Sequence, residues 1–324
     1  MVLALPNEII QSILFWLKES PEIGFKLHTI FYQCALISKA WNVNTTPLLY
    51  SRPFVAEGER KYLIITALLS SLDTKHRTFL EANNVNVSCL YSRPLYKYLS
   101  FIKHLDIDEM FSCVRNWYIW TDQHGAESNI KHTVLTTIHE IMMDLNVRLE
   151  TLYMTDDCEF ALNALIEYKD LFRHTKTLNM QAWNSGHIFK ELSQSVNNLE
   201  TLRIKIELYK SASEYIALLF RSLPLLKTVT LVNSEYYVES VCGWLMDHPT
   251  LREFHAILLE VNIEALRKLL TCKALNCLKL EFCKEMSGEA QLYLQQKGFM
   301  CEDTGHLIIW SQKKKRDSTG RTRD

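Results

Sequence analysis

One short pattern recurs along this chain at almost even intervals: an apolar residue, two others, an apolar residue, one other and a third apolar residue. Full copies are Leu149-x-x-Leu152-x-Met154, Leu199-x-x-Leu202-x-Ile204, Leu226-x-x-Val229-x-Leu231, Leu251-x-x-Phe254-x-Ala256 and Leu275-x-x-Leu278-x-Leu280. Thr175-x-x-Leu178-x-Met180 lacks the first apolar residue, and Ile102-x-x-Leu105-x-Ile107 is an earlier copy. The central positions 152, 178, 202, 229, 254 and 278 are separated by 26, 24, 27, 25 and 24 residues. The gap of 47 residues from 105 to 152 is close to two periods, and Val114-x-x-Trp117-x-Ile119 reads as a decayed copy within it. A fixed period outranks any element-by-element reading, because it means one supersecondary unit stacked on itself. Each copy alternates as a strand must. Between copies lie amphipathic stretches such as FALNALIEYKDLF, ASEYIALLFRSL and NIEALRKLL, with apolar residues three and four apart. Strand then helix, repeated in parallel, buries one continuous core, so the fold class is α/β with a parallel sheet. A generic α/β domain with fortuitous spacing is the alternative.

The period resembles that of leucine-rich repeats, which run about 20–29 residues. The last copy, with Cys283 three residues past Leu280 and then Met286-Ser287-Gly288, is similar to the cysteine-containing subclass. Other units carry Trp183, Glu207, Ser234 and Leu259 at that place, which predicts an irregular arc. Such a solenoid offers its variable strand residues on the concave face, where extended partners bind. The candidates for binding a target there are Tyr153, Asn179, Arg203, Thr230, His255 and Lys279, with Trp183 and Tyr209 from the loops beyond the strands. Aromatics and an Arg among small polar residues are the usual anchors of a protein interface. A solvated sheet face without a partner is the bland alternative.

The amino-terminal stretch is unusual in another way. LPNEIIQSILFWL reads as a helix, with Pro6 at a first position where its missing N–H costs nothing and Glu8 near the positive helix end. Ile9, Ile10, Ile13, Leu14, Phe15, Trp16 and Leu17 leave a narrow polar strip. A helix apolar nearly all round has to be covered on more than one side. The segment to Tyr50 is too short to do this alone, and its apolar run too short to span a membrane. One face is therefore expected to pack on neighbouring helices and the other to meet a different protein.

Leu5-Pro6-x-Glu8-Ile9, Ile13-Leu14 and Leu17, then Ala35-Leu36-Ile37-Ser38-Lys39-x-Trp41-Asn42 and Leu48-Leu49-Tyr50, resemble an F-box. The turn Ser20-Pro21-Glu22-Ile23-Gly24 is longer than the compact version of that module. The resemblance implies three helices that dock on a Skp-type adaptor and through it a cullin, mainly through Leu5, Pro6, Ile9, Ile13, Leu14, Leu36 and Ile37. An ordinary helical cap on the following domain is the alternative reading.

Composition narrows the function classes. Net charge is −1, whereas nucleic-acid-binding proteins are usually basic over their binding face. Nine cysteines without paired spacing suit reduced thiols of the cytoplasm or nucleus, and Cys272, Cys277 and Cys283 do not match paired zinc ligands. The amino end carries no positive segment of a signal peptide. No H-E-x-x-H, C-x-x-C, G-x-S-x-G or glycine-rich phosphate loop occurs, so no catalytic, metal or cofactor residue is assigned and no cofactor is expected.

The expected organisation is an F-box module over 1–50, a helical connector over 51–98, the repeats over 99–310 and a basic tail over 311–324. In the connector, 57–72 and 74–82 have helical spacing, whereas VNVSCLYSRPLYKYL alternates like a strand. His306 to Trp310 is a strand-like finish suited to capping the stack, and Lys313 to Arg316 opens a tail read as solvated, with an import signal as the alternative. The implied function is that of a non-catalytic substrate receptor of a ubiquitin ligase, holding an unknown target protein. A scaffold without ubiquitination is the nearest alternative, and an RNA-binding arc using Arg203, Lys205 and Lys279 the more distant one.

Overall fold

The computed structural model describes residues 5–19, 27–55, 61–90, 95–121, 123, 126–155, 163, 165–182, 187–206, 213–232, 238–259, 261–281, 287–304 and 307–312. The chain is α/β and divides into two compact units, Met1–Leu149 and Glu150–Asp324.

The first unit opens with three helices, α1 (Asn7–Glu19), α2 (Leu27–Ala35) and α3 (Lys39–Leu49). Pro6 stands just ahead of α1, and its carbonyl accepts the N–H groups of Ile9 and Ile10. Ser38 caps α3 by accepting the Trp41 N–H at 3.4 Å. Ile10, Leu14 and Phe31 form the buried centre, with Leu17, Leu27, Trp41 and Leu48 packed around it. At one edge a polar clasp joins the first and third helices: Gln11 Nε2 donates to Asn44 Oδ1 (3.0 Å) and Asn44 Nδ2 to Asn7 Oδ1 (3.2 Å).

Helices α4 (Tyr62–Ser70) and α5 (Thr74–Ala82) follow, then a short strand β1 (His104–Asp106), α6 (Ile107–Trp120) and α7 (Glu127–Asp144). Ile65, Leu68, Leu80, Met110, Val134 and Ile138 share their interior. The strand-like alternation after Asn84 is not realised as a strand among the described residues, although Val85 and Val87 are buried. A side chain takes the role of a strand partner there: Gln123 accepts the Asn86 N–H (2.7 Å) and donates to the Asn86 carbonyl (3.0 Å). The decayed repeat at Val114, Trp117 and Ile119 is also overturned, since all three lie on α6. Val114 and Trp117, three apart, share one buried helix face while Ile119 falls on another and is exposed, and Asp106 caps the helix by accepting the Glu109 N–H at 3.0 Å. The long gap between copies thus holds two helices.

The second unit carries the regular copies. Strands β2 (Thr151–Thr155), β3 (Thr177–Ala182), β4 (Thr201–Ile206), β5 (Thr228–Val232), β6 (Glu253–Ile257) and β7 (Cys277–Glu281) are parallel and adjacent in chain order. Between them run α8 (Lys169–Phe172), α9 (His187–Ser195), α10 (Ser213–Arg221), α11 (Val238–Trp244) and α12 (Ile263–Leu269). Leu152, Leu178, Leu202, Val229, Phe254 and Leu278 fall in one register row and are all buried. The second inward row runs Met154, Met180, Ile204, Leu231, Ala256 and Leu280, so the smallest side chain shares a strand with the largest. A recurring bond locks the stack at the strand starts. The carbonyls of Glu150, Lys176, Glu200, Lys227 and Arg252 each accept two consecutive N–H groups from the next copy. After α13 (Gly288–Gln296) the chain reverses through β8 (Phe299–Asp303) and β9 (Leu307–Gln312). The last of these strands pairs antiparallel with β7 and sets Trp310 opposite Leu278, extending the inward row with a buried ring.

Thr175 occupies the first apolar position of its copy. It is 0 % exposed, and its hydroxyl has no hydrogen-bond partner among the described residues. A buried orphan hydroxyl costs about 1–3 kcal/mol. Thr175→Val keeps the branching and removes the orphan, so we expect it to raise the stability of this unit by about 1 kcal/mol. A urea midpoint at or below the parent value would count against that account.

Candidate functional site

Two surfaces stand out, one in each unit. On α1 the apolar residues divide into two stripes by helical spacing. Ile10, Leu14 and Leu17 face the bundle, whereas Ile9, Ile13 and Trp16, at i, i+4 and i+7, face outward. Trp16 is 66 % exposed, and Leu5, Pro6 and Phe15 are exposed as well. Leu36 and Ile37, in the turn between α2 and α3, are bare, and so are Tyr32 and Val43. Among the described residues this short helical bundle thus exposes an unusual number of large apolar side chains.

Of the residues assigned to adaptor binding, Leu5, Pro6, Ile9, Ile13, Leu36 and Ile37 are at the surface. Leu14 is not: it is buried against Ile10 and Phe31, one turn away from the outward stripe. Trp16 and Phe15 are exposed on the same helix and are not among those residues. The signal for Trp16 was its distance of seven from Ile9, which places it on the same helix face.

On the open face of the sheet, six assigned residues fall into one ladder. Tyr153, Asn179, Arg203, Thr230, His255 and Lys279 are register partners from strand to strand. Arg203 is exposed and the larger members are half-buried. Thr230, a small side chain set between two longer ones, is buried and offers little contact. Trp183 and Tyr209 lie outside the described residues.

Two acid–base contacts cross the strands at the β6–β7 end of this face. Lys279 Nζ sits 2.6 Å from Glu253 Oε1, and His255 Nε2 lies 3.1 Å from Glu281 Oε2. The contact with Glu253 holds the Lys279 ammonium above its ordinary range. Burial draws His255 below its usual value, opposed by Glu281 and assisted by the positive charges of Lys279 and Arg203. A neutral imidazole at pH 7 follows. At the strand starts, Lys227 Nζ reaches Glu200 Oε2 at 2.5 Å and lowers that carboxyl.

Among the described residues no group of three or more His, Cys, Asp and Glu could hold a metal, and no helix is long and apolar enough to cross a membrane. Cys272 is buried and donates to the Leu245 carbonyl at 2.8 Å, and burial pushes its thiol up. Such a thiol is a packing residue, with none of the thiolate character a nucleophile needs. In comparisons of the whole sequence, no family model matches this chain and no curated protein matches it.

Proposed function

We propose that this chain is a non-catalytic receptor that joins two proteins, an adaptor at its amino-terminal helices and a target at its repeated sheet. In this reading the three helices α1 to α3 are an F-box that docks on a Skp-type adaptor and through it a cullin. The second unit is an irregular leucine-rich-repeat solenoid that holds a target protein for ubiquitin transfer. The observation that carries the reading is the outward stripe of Ile9, Ile13 and Trp16, on a helix whose other apolar stripe already forms the bundle centre. Leu36 and Ile37 add a second bare apolar element from the following turn. The chain's contribution to chemistry is positioning: it raises the local concentration of target near the transfer machinery and supplies no nucleophile.

The test is co-elution of the full chain with a purified Skp-type adaptor on size exclusion, followed by target turnover in cells. Failure to co-elute removes the receptor reading. Co-elution without any change in the stability of bound targets, on deletion of residues 1–50, leaves a scaffold. Leu14→Ala serves as a contrast within the same helix. It deletes core, so we expect a loss of about 2–4 kcal/mol from the helical bundle, seen as a lower unfolding midpoint. Adaptor binding should weaken only in proportion to the unfolded fraction.

A further inference from the structure

We propose that the target docks through an acidic segment, one carboxylate of which pairs with the guanidinium of Arg203 in the middle of the sheet face. This rests on reading that face as the target surface and adds the chemistry of what it takes.

The charges on the face are sorted by strand. At β6 and β7, Glu253 is offset by the Lys279 ammonium of the neighbouring strand, and Glu281 lies against the imidazole of His255. None of the outward residues of β3, β4 and β5 is acidic; they are Thr, Asn, Gln, Arg, Lys and Val. Arg203 therefore stands at the surface without an ion pair among the described residues, between Asn179 and Thr230 in register. Its charge reaches across the small Thr230, since it helps to keep His255 below its ordinary value. Its backbone lies on a strand that is paired on both flanks, so the point from which the side chain projects is fixed before any ligand arrives.

A planar guanidinium with parallel donors matches the two oxygens of a carboxylate. The Asn179 amide and the hydroxyls of the partly exposed Thr177, Thr201 and Thr228 offer neutral hydrogen bonds to the flanking backbone of an extended segment. A phosphate group is less well served, because phospho-recognition draws on a cluster of Arg side chains. The nearest other cation of this row, Lys279, is already committed to Glu253. A polyanion such as RNA would meet the carboxylate of Glu281, which lies against a neutral imidazole, as it ran along the ladder, and would be repelled by it.

The experiment selects random linear peptides by display on the full chain, in parallel on Arg203→Glu. The expected result is Asp or Glu at one recurrent position among peptides selected on the parent. A synthetic copy of a selected peptide should weaken by about tenfold or more when that acid becomes Asn or Gln, or when Arg203 becomes Glu. A Lys at the same peptide position should recover binding on Arg203→Glu. Four outcomes overturn the proposal: no selected binders, no recurrent acid, equal binding by Arg203→Glu, or tighter Arg203-dependent binding of the phosphoserine peptide or of single-stranded RNA. Adaptor co-elution of Arg203→Glu, measured alongside, should equal that of the parent. A parent chain that fails to co-elute would sink the receptor reading alone, whatever the peptides show.

Discussion

Ile9→Glu combined with Ile13→Glu is expected, if α1 docks on a Skp-type adaptor as proposed, to release the chain from it and to leave the melting temperature where it was. Both residues lie on the outward stripe of α1, so neither substitution opens a cavity or buries a charge in the free chain. In the complex, each glutamate would have to be desolvated against an apolar partner surface. A buried interface anchor is worth about 2 kcal/mol or more, and an unpaired charge in its place costs further. Two such changes are expected to weaken association by at least about a hundredfold. Titration calorimetry with the purified adaptor reads the affinity, and thermal unfolding reads the fold. Undiminished affinity would remove α1 from the interface. A fall in melting temperature equal to that of Leu14→Ala would mean that the stripe is core after all.

Acid should weaken the first unit through one buried imidazole. His139 on α7 is wholly buried, its Nδ1 lies 2.8 Å from the Leu135 carbonyl, and burial draws its pKa from the ordinary 6.5 to about 4. The bond to Leu135 opposes the shift and is outweighed. Because the folded value is depressed, the unfolded chain binds a proton that the folded chain refuses. The stabilisation is therefore complete above pH 6.5 and is lost as the pH falls toward 4. A difference of this size corresponds to about 3 kcal/mol in total, of which about 2 kcal/mol is lost between pH 7 and pH 4.5. Urea unfolding at those two pH values, on the parent and on His139→Leu, isolates the contribution. The variant should lose about 2 kcal/mol less on acidification, whatever its stability at pH 7. Equal pH sensitivity in the two proteins would rule out His139 as the origin. His28 and His248, also held below their usual value by burial, act in the same direction in both proteins and cancel in the comparison.

The parallel strands of the second unit were legible because strand side chains alternate with a period of two and the copies are nearly equal in length. Once Leu152, Leu178, Leu202, Val229, Phe254 and Leu278 are known to point inward, their neighbours Tyr153, Asn179, Arg203, His255 and Lys279 must share the other face. That inference needs no knowledge of what covers the sheet. The same logic fails for α1. Ile10, Leu14 and Leu17 form one apolar stripe and Ile9, Ile13 and Trp16 another, and either could have been the core. Local chemistry does not break that tie. It is broken by where Phe31, Trp41 and Leu48 come to lie, which is a property of the packed bundle.

Three further features depended on residues distant in the chain being brought together. The spacing of Val114 and Trp117 fits a helix face, Ile119 falls off it, and helix prevails in company with α4 and α7. The segment around Asn86 alternates like a strand, but its backbone is satisfied by Gln123, which lies well over thirty positions away. On the sheet face, sequence could place Glu253 and Lys279 on neighbouring strands without showing that they neutralise each other, while Arg203 is left without an ion pair among the described residues. Periodicity is a local quantity and can be read along one strand of text. Which of two equal faces is buried, and which of several charges keeps its partner, are settled by contacts whose free energy exists only once the chain has folded.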